Sequence, residues 1–363
     1  MTFIFVVIAT ALVFEYINGF HDTANSIATV VATKVLSPRQ AVMMAALTNL
    51  FGALWGTAVA KTIASGLIDP RIASQEVLIC ALLGAIAWNL ITWYAGLPSS
   101  SSHALVGGLV GAAVAAARSW DVVIWSERSG ANLLASKGLL WKVIVPMFAS
   151  PLTGFALGFV IMGLLYALLR NWKPRWVNAV FGKAQMLSAA GMGFMHGTND
   201  AQKTMGIVAL ALAAGTANGR LENLPEWMSF LRVSPPAPGQ DLPIAIWIKV
   251  VCAVVMAAGT AAGGWRIIKT LGHKMVRLHP VNGFAAETSS AAIIGLASHF
   301  GIPVSTTHNV SAAIMGVGAA KRFSALKWTV VERMVWAWIL TIPVSAAIAF
   351  LLMRLMQLSG QAP

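Results

Sequence analysis

Ten apolar segments succeed one another along this chain, at 2–20, 40–60, 77–96, 101–117, 139–169, 185–215, 243–264, 283–300, 303–320 and 329–353. A helix needs about 20 apolar residues to cross the hydrocarbon core of a bilayer. Inside that core every backbone N–H and C=O must find its partner within the protein. The pattern predicts an all-α, polytopic membrane protein. Composition argues against a soluble enzyme: of 363 residues, 58% are hydrophobic and 10% charged. A soluble domain is about half apolar and a quarter charged, and one this apolar would expose large patches and aggregate. The opening run MTFIFVVIATALVFEYINGF has no basic stretch ahead of it and leads straight into polar residues. It reads as the first membrane helix, not a cleaved signal. Two cysteines, Cys80 and Cys252, both in apolar runs, supply no disulfide or metal framework.

The formal charge is +13. Basic proteins can bind nucleic acid, but here the cations form short clusters between apolar segments, the arrangement that orients membrane helices. Four connectors are basic: Lys34 and Arg39; Arg170, Lys173, Arg175 and Lys183; Arg266, Lys269, Lys274 and Arg277; and Lys321, Arg322, Lys327 and Arg333, opposed only by Glu332. The others are mixed, with Asp69, Glu76, Asp121, Glu127, Glu222, Glu226 and Asp241 among bases that include Arg128. The positive-inside rule places the basic set in the cytoplasm, with both termini outside. The pair 77–117 then enters and leaves from outside, and the pair 283–320 from inside. The second half repeats the first upside down, as in inverted-repeat carriers. The expected parts are a repeat at 1–170, a cytoplasmic connector at 171–184 and a second repeat at 185–357, in the cell (inner) membrane.

Glu15, Asp22, Asp200 and Glu287 fall inside apolar segments, and Lys203 follows Asp200 by one turn. An ionised carboxylate at the bilayer centre costs at least about 2.5–3.5 kcal/mol, so such residues line pathways and binding sites or lock helices in pairs. Two of them sit in a repeated motif. NGFHDTAN (18–25) matches HGTNDAQK (196–203), with Asp22 opposite Asp200. PSSSSH (98–103) likewise matches PVSTTH (303–308), and small-residue runs follow each. The second half is longer by the Pro-rich, polar loop ENLPEWMSFLRVSPPAPGQDLP.

Gly19 and the polar run after it are expected to end one helix, with Asp22 or Thr23 capping the next. FMHGTNDAQKTMGIV is expected to do the same. Broken helices expose N–H groups and a partial positive charge that attract anions. Proline ends the incoming helix of each PSSSSH-type motif. The Ser and Thr residues cap the outgoing helix and offer hydroxyls, or bond back to their own helix. Four helix N-termini would converge near the midplane on a tetrahedral oxyanion. His103 and His308 are matched, as are His21 and His196 more loosely. Turn bracing and proton coupling are both open readings for them.

GFHDTAN, WYAGLPSSSSH, HGTNDAQK, GLASHFGIPVSTTH and AWILTIPVSA resemble, in order and over nearly the whole chain, the inorganic phosphate transporter (PiT/Pit) family, especially bacterial low-affinity permeases. The resemblance implies an inverted-repeat phosphate carrier, not an enzyme, with no cofactor. It would be driven by an H⁺ or Na⁺ gradient, in bacterial members often carrying phosphate as a neutral complex with a divalent metal. Asp22 and Asn25 match the first signature; Asp200, Gln202 and Lys203 match the second. Many Na⁺-coupled members have Asn where Lys203 stands, so a fixed ammonium there favours H⁺ over Na⁺.

The expected phosphate ligands are hydroxyls of Ser101, Ser102, Thr306 and Thr307, broken-helix amides at Thr23 and Ala201, and Asn25, Gln202 and Lys203. Asp22, Asp200 and, as a further candidate, Glu287 would hold the coupling cation. The partners implied are phosphate, a cation and the bilayer, with a homodimer allowed for and no nucleic acid. Three alternatives stay open: a sulfate permease of the same family, an intramembrane hydrolase using Ser, His and Asp, and a channel. Duplication of the hydroxyl, histidine and aspartate motifs suits a carrier better than a single active site.

Overall fold

The computed structural model describes residues 2–127, 136–222, 224–233 and 242–361. Arg128, Asp241 and the middle of the long polar loop lie outside the described residues. The order is α1 (Thr2–Ala32), α2 (Pro38–Ala53), α3 (Ala58–Ser65), α4 (Gln75–Ala95), α5 (Ser101–Ala117), α6 (Val145–Leu169), α7 (Pro174–Ala217), α8 (Ile246–Ala262), α9 (Trp265–Lys269), α10 (Pro280–His299), α11 (Thr306–Lys321) and α12 (Trp328–Leu358). Four spans are long and apolar enough to cross a bilayer singly: Phe3–Ala32, Gln75–Ala95, Leu140–Leu169 and Trp328–Leu358. Two more arise if bent pairs count as one span, α2 with α3 (71°) and α8 with the stretch Trp265–Lys274 (57°).

Two differences from the sequence reading matter. The motifs NGFHDTAN and HGTNDAQK do not break their helices: α1 runs through the first and α7 through the second. The breaks lie instead between α2 and α3 and between α8 and α9. Most of the expected connector at 171–184 is also helical, as the first turns of α7.

Glycine explains the continuity. A Cβ on Gly19 would stand 2.4 Å from the Met256 carbonyl oxygen, and one on Gly259 would stand 2.1 Å from that of Tyr16. The same crossing recurs between α7 and α2, where a Cβ on Gly197 would meet Asn49 O at 2.4 Å and one on Gly52 would meet Phe194 O at 2.0 Å. Gly19 and Gly197 each precede the motif aspartate by three residues. They serve close helix approach, the role of small residues between membrane helices, not helix termination.

Packing partners are matched between the halves. Helix α12 clasps α5 and α4, while α6 clasps α11 and α10. Helices α1 and α7 lie side by side and antiparallel. Thr33 donates to Gln185 at 2.9 Å towards one end, and Thr204 donates to Glu15 towards the other. Two apolar cores result. One gathers the first half of α1 with α3, α4, α5, the last turns of α7, and α8. The other gathers the second half of α1 with α2, α9, α10 and α11. The polar motif residues sit between them. Helices α5 and α11 are short, and almost every residue in them is buried.

Substitution on α7 separates the two kinds of glycine. Gly197→Ala is expected to lower stability by about 1–3 kcal/mol through overpacking. Gly191→Ala, where an added Cβ meets nothing within 4 Å, should be neutral or raise stability by up to about 1 kcal/mol through helix propensity. Thermal melts of the two purified variants in detergent check this.

Candidate functional site

The polar layer is built from two helix faces and two hairpin tips. Between α4 and α5 the chain turns at Gly96, in the left-handed region at φ 65°, and then passes Pro98. Ser100 caps α5 by accepting from the His103 N–H at 3.1 Å. The second tip turns at Gly301, φ 61°, and passes Pro303. Ser305 caps α11 by accepting from the His308 N–H, also at 3.1 Å. With the cap roles taken by Ser100 and Ser305, the next two residues of each motif stand in the first turn of a helix. The tips meet: the His103 and His308 rings are 4.8 Å apart, and Ser102 donates to Val304 O at 3.3 Å. His308 stacks on Trp338 at 4.3 Å, whose indole N–H donates to Pro98 O at 3.0 Å. That places the two histidines as braces of the tips.

Helix faces supply the charges. The Lys203 ammonium donates to Asp200 and to Ser102, and to Val304 O at 3.3 Å. Asp200 also accepts from the Thr306 hydroxyl at 3.1 Å and lies 3.2 Å from His196 Nε2. Asp22 pairs with His21 Nδ1 at 2.7 Å and accepts from Thr307 at 3.3 Å. The Asn25 amide donates to Thr306 at 3.1 Å and to Thr307 at 3.0 Å. Asp22, Asn25, Ser102, Asp200, Lys203, Thr306 and Thr307 thus form one buried network. Ser101 is buried on the same helical turn, and its hydroxyl has no partner among the described residues. Asp22, His196 and Asp200 can each bring one donor atom within 4.8 Å of the others. Two carboxylates and an imidazole are a donor set suited to a divalent metal.

Three expected residues fall elsewhere. Thr23 turns away, donating to Gly19 O at 2.6 Å and Thr260 O at 3.3 Å. Its amide, like that of Ala201, is inside a continuous helix and is no broken-helix donor. Gln202 also turns away and completes a real helix start: its Oε1 accepts from Val59 N at 2.9 Å and Ala60 N at 3.3 Å, at the beginning of α3. Glu287 sits in a separate cluster, bonded by the hydroxyls of Thr29 and Ser188 and by the Gln185 amide at 3.2 Å.

A pair of matched contacts escaped the sequence reading. The Thr270 hydroxyl, just past α9, donates to Gly96 O at 2.8 Å, and the Thr62 hydroxyl on α3 donates to Gly301 O at 2.7 Å. Each second half of a bent helix pair therefore latches onto the turn of one hairpin. A cation reinforces each latch. Arg266 donates to Tyr94 O at 2.6 Å and lies over the Trp93 and Tyr94 rings at 5.2 and 4.6 Å. Lys142 donates to Phe300 O at 3.2 Å. Isolated threonines outside any repeated motif carry no signal by which sequence could have found them.

Residues 18–349 match the phosphate transporter family. A protein of Bacillus subtilis described as a probable low-affinity inorganic phosphate transporter is 41% identical over 354 residues, 96% of each chain. A protein of Mycobacterium tuberculosis with the same description is 43% identical over 358 residues, 99% of this chain and 78% of that one. One from Rhizobium meliloti is 41% identical over 95% of this chain and 93% of its own length. A solved structure titled "The sodium-dependent phosphate transporter" shares the fold at a TM-score of 0.80 and 23% identity, covering 99% of this chain and all of that one. With a family match over most of its length and relatives of this similarity, the chain belongs to the phosphate transporter family.

Proposed function

We propose that the chain carries inorganic phosphate across the cell membrane by cation-coupled symport, through alternating access between two inverted repeats. The observation that carries this reading is the convergence of two helix N-termini, four hydroxyl residues, an amide and an ammonium on one buried layer that also holds two aspartates. Helix N-termini and hydroxyl donors recognise a tetrahedral oxyanion. The donors now bond one another, so phosphate would replace Lys203–Ser102 and Asn25–Thr306 bonds with bonds to its own oxygens. Asp22 and Asp200 would repel a bare dianion. They tolerate it once a proton or cation accompanies it, which is the physical content of symport.

The matched glycine crossings, hairpin caps and latches support two repeats of one design, at 1–170 and 185–357. In that scheme the Gly96 and Gly301 latches would be the two gates, and the present conformation has both closed. Lys203 favours H⁺ as the coupling ion: its ammonium already fills the cation position beside Asp200, leaving a proton, not Na⁺, to be carried. Asp22, His196 and Asp200 are the group that would receive a divalent metal if phosphate arrives as a metal complex.

Two experiments test this. In liposomes containing the purified chain, labelled phosphate uptake should persist when choline replaces Na⁺ and collapse with a protonophore. Asp22→Asn and Asp200→Asn should each abolish it with the fold intact. Sulfate uptake that phosphate does not compete away would overturn the substrate. For the gate, a Cβ built on Gly96 lies 3.8 Å from the Arg266 Cβ, close to the mean of about 3.8 Å in disulfides. With Cys80 and Cys252 replaced by Ala, the pair Gly96→Cys and Arg266→Cys, once its reduced form is shown to take up phosphate despite the left-handed backbone at Gly96, should cross-link under oxidation and stop uptake, and a reductant should restore it. Full uptake in the cross-linked protein would refute the gate.

A further inference from the structure

Glu15 belongs neither to the phosphate layer nor to the Glu287 cluster, yet it is fully buried. We propose that Glu15 is the proton-binding residue of the carrier: it takes up the co-transported proton on its way between one membrane face and the phosphate layer. The proposal rests on the proton-coupled reading above.

Glu15 precedes Asp22 by two turns of α1, a rise of about 10 Å. Its partner Thr204 follows Lys203 directly on the antiparallel α7. Both therefore lie on the same side of the Asp22–Asp200 layer, the outer side under the positive-inside threading. The titratable groups that face Glu15 are Asp200 and Lys203 on α7 and the Cys252 thiol on α8. Among the described residues no cation forms an ion pair with it.

One carboxylate oxygen accepts from the Thr204 hydroxyl; the other, Oε1, makes no bond of full geometry among the described residues, with the Asn18 amide beside the carboxyl. Asn18, one turn along α1, is buried and lies against the Glu15 carboxyl without a bond of full geometry, and Asn89 on the adjacent α4 is buried with both amide atoms unpartnered among the described residues. Buried polar atoms are rarely left unbonded, and unpartnered groups of this kind hold water. Further towards the same end, Arg220 donates to Gln75 at 2.8 Å and Glu76 at 3.2 Å, leaving Gln75 Nε2 and Glu76 Oε2 unpartnered. Unpartnered polar atoms thus stand on both sides of Glu15, at the start of α4 towards the outer end and at Asn18 and Asn89 towards the phosphate layer. Such a series suits a proton better than a metal ion. A hard cation needs six or more oxygens, whereas a proton needs one free carboxylate oxygen and a water or amide to receive the acid O–H. Glu15 would accept one proton at Oε1, become a neutral acid, and return to carboxylate on release towards the opposite face.

The alternative is that Glu15 and Thr204 only lock α1 to α7. Liposomes carrying the full chain and an internal pH dye separate the two. Wild type should acidify the interior when phosphate is added outside, without Na⁺. Glu15→Gln should exchange labelled phosphate for unlabelled phosphate at the wild-type pace but lose phosphate-evoked acidification. Glu15→Asp should keep acidification with a shifted external-pH midpoint. Wild-type acidification by Glu15→Gln overturns the proposal. So does loss of exchange along with acidification at an unchanged melting temperature, which would move Glu15 into the phosphate step. If Glu15→Gln does not reconstitute, Glu15→Asp decides: an unshifted pH midpoint overturns the proposal. A wild type that exchanges phosphate but moves no protons overturns it and the proton coupling, while leaving phosphate transport standing. A wild type that exchanges none overturns phosphate transport itself.

Discussion

The Lys203 ammonium is the interaction on which the centre of this protein depends. An ammonium taken out of water costs several kcal/mol unless charge and hydrogen bonds replace the lost solvent. Here Asp200 supplies the charge, and Ser102 with the Val304 carbonyl supplies the remaining acceptors. Those acceptors come from both hairpin tips, so satisfying one side chain on α7 fixes where α5 and α11 begin. The caps at Ser100 and Ser305 then orient the first turns, and Asn25 ties Thr306 and Thr307 to α1. Helix starts that would otherwise be exposed backbone within a membrane are capped by their own serines at α5 and α11, and by Gln202 of α7 at α3.

The two long helices that present Asp22 and Asp200 approach their neighbours at glycine. Without a side chain at Gly19, Gly52, Gly197 or Gly259, backbone meets backbone at crossings too close for any Cβ. The aspartates follow Gly19 and Gly197 by three residues, so the tightest packing and the charged layer lie on successive turns. Rigidity at the crossing holds the charge in place, with the softer latches at Gly96 and Gly301 beyond it.

Much of this could be read from the residues. Apolar run length located the helices, four to six of which among the described residues are long and apolar enough to span a bilayer, and the repeated motifs gave seven members of the network by residue number. The errors share one cause. In a soluble protein, a run such as GFHDTAN punctuates a helix, because Gly, Asn and Asp favour turns. Between membrane helices the same residues supply a close-packing face and a polar face of an unbroken helix. Side chains on adjacent helical residues point about 100° apart. Asp22 and Asn25 can therefore share a face that Thr23 cannot, and Asp200 with Lys203 excludes Gln202. Reading each motif as a helix with period 3.6 would have predicted which members turn away. The latches at Thr62 and Thr270 had no such signal, since they depend on where the bent helices α3 and α9 come to rest.

The tethered ammonium also bears on the empty carrier. After substrate leaves, a site holding a bare carboxylate would have to swing that charge through the membrane potential, at about 2.3 kcal/mol per elementary charge for each 100 mV. Lys203 is bonded to Asp200 on the same helix, so in the proposed cycle the two would move together as a neutral pair. In the alternating-access cycle proposed above, the unloaded return stroke would thereby be relieved of electrical work at that position, and turnover on that leg would be a matter of helix mechanics, not of voltage.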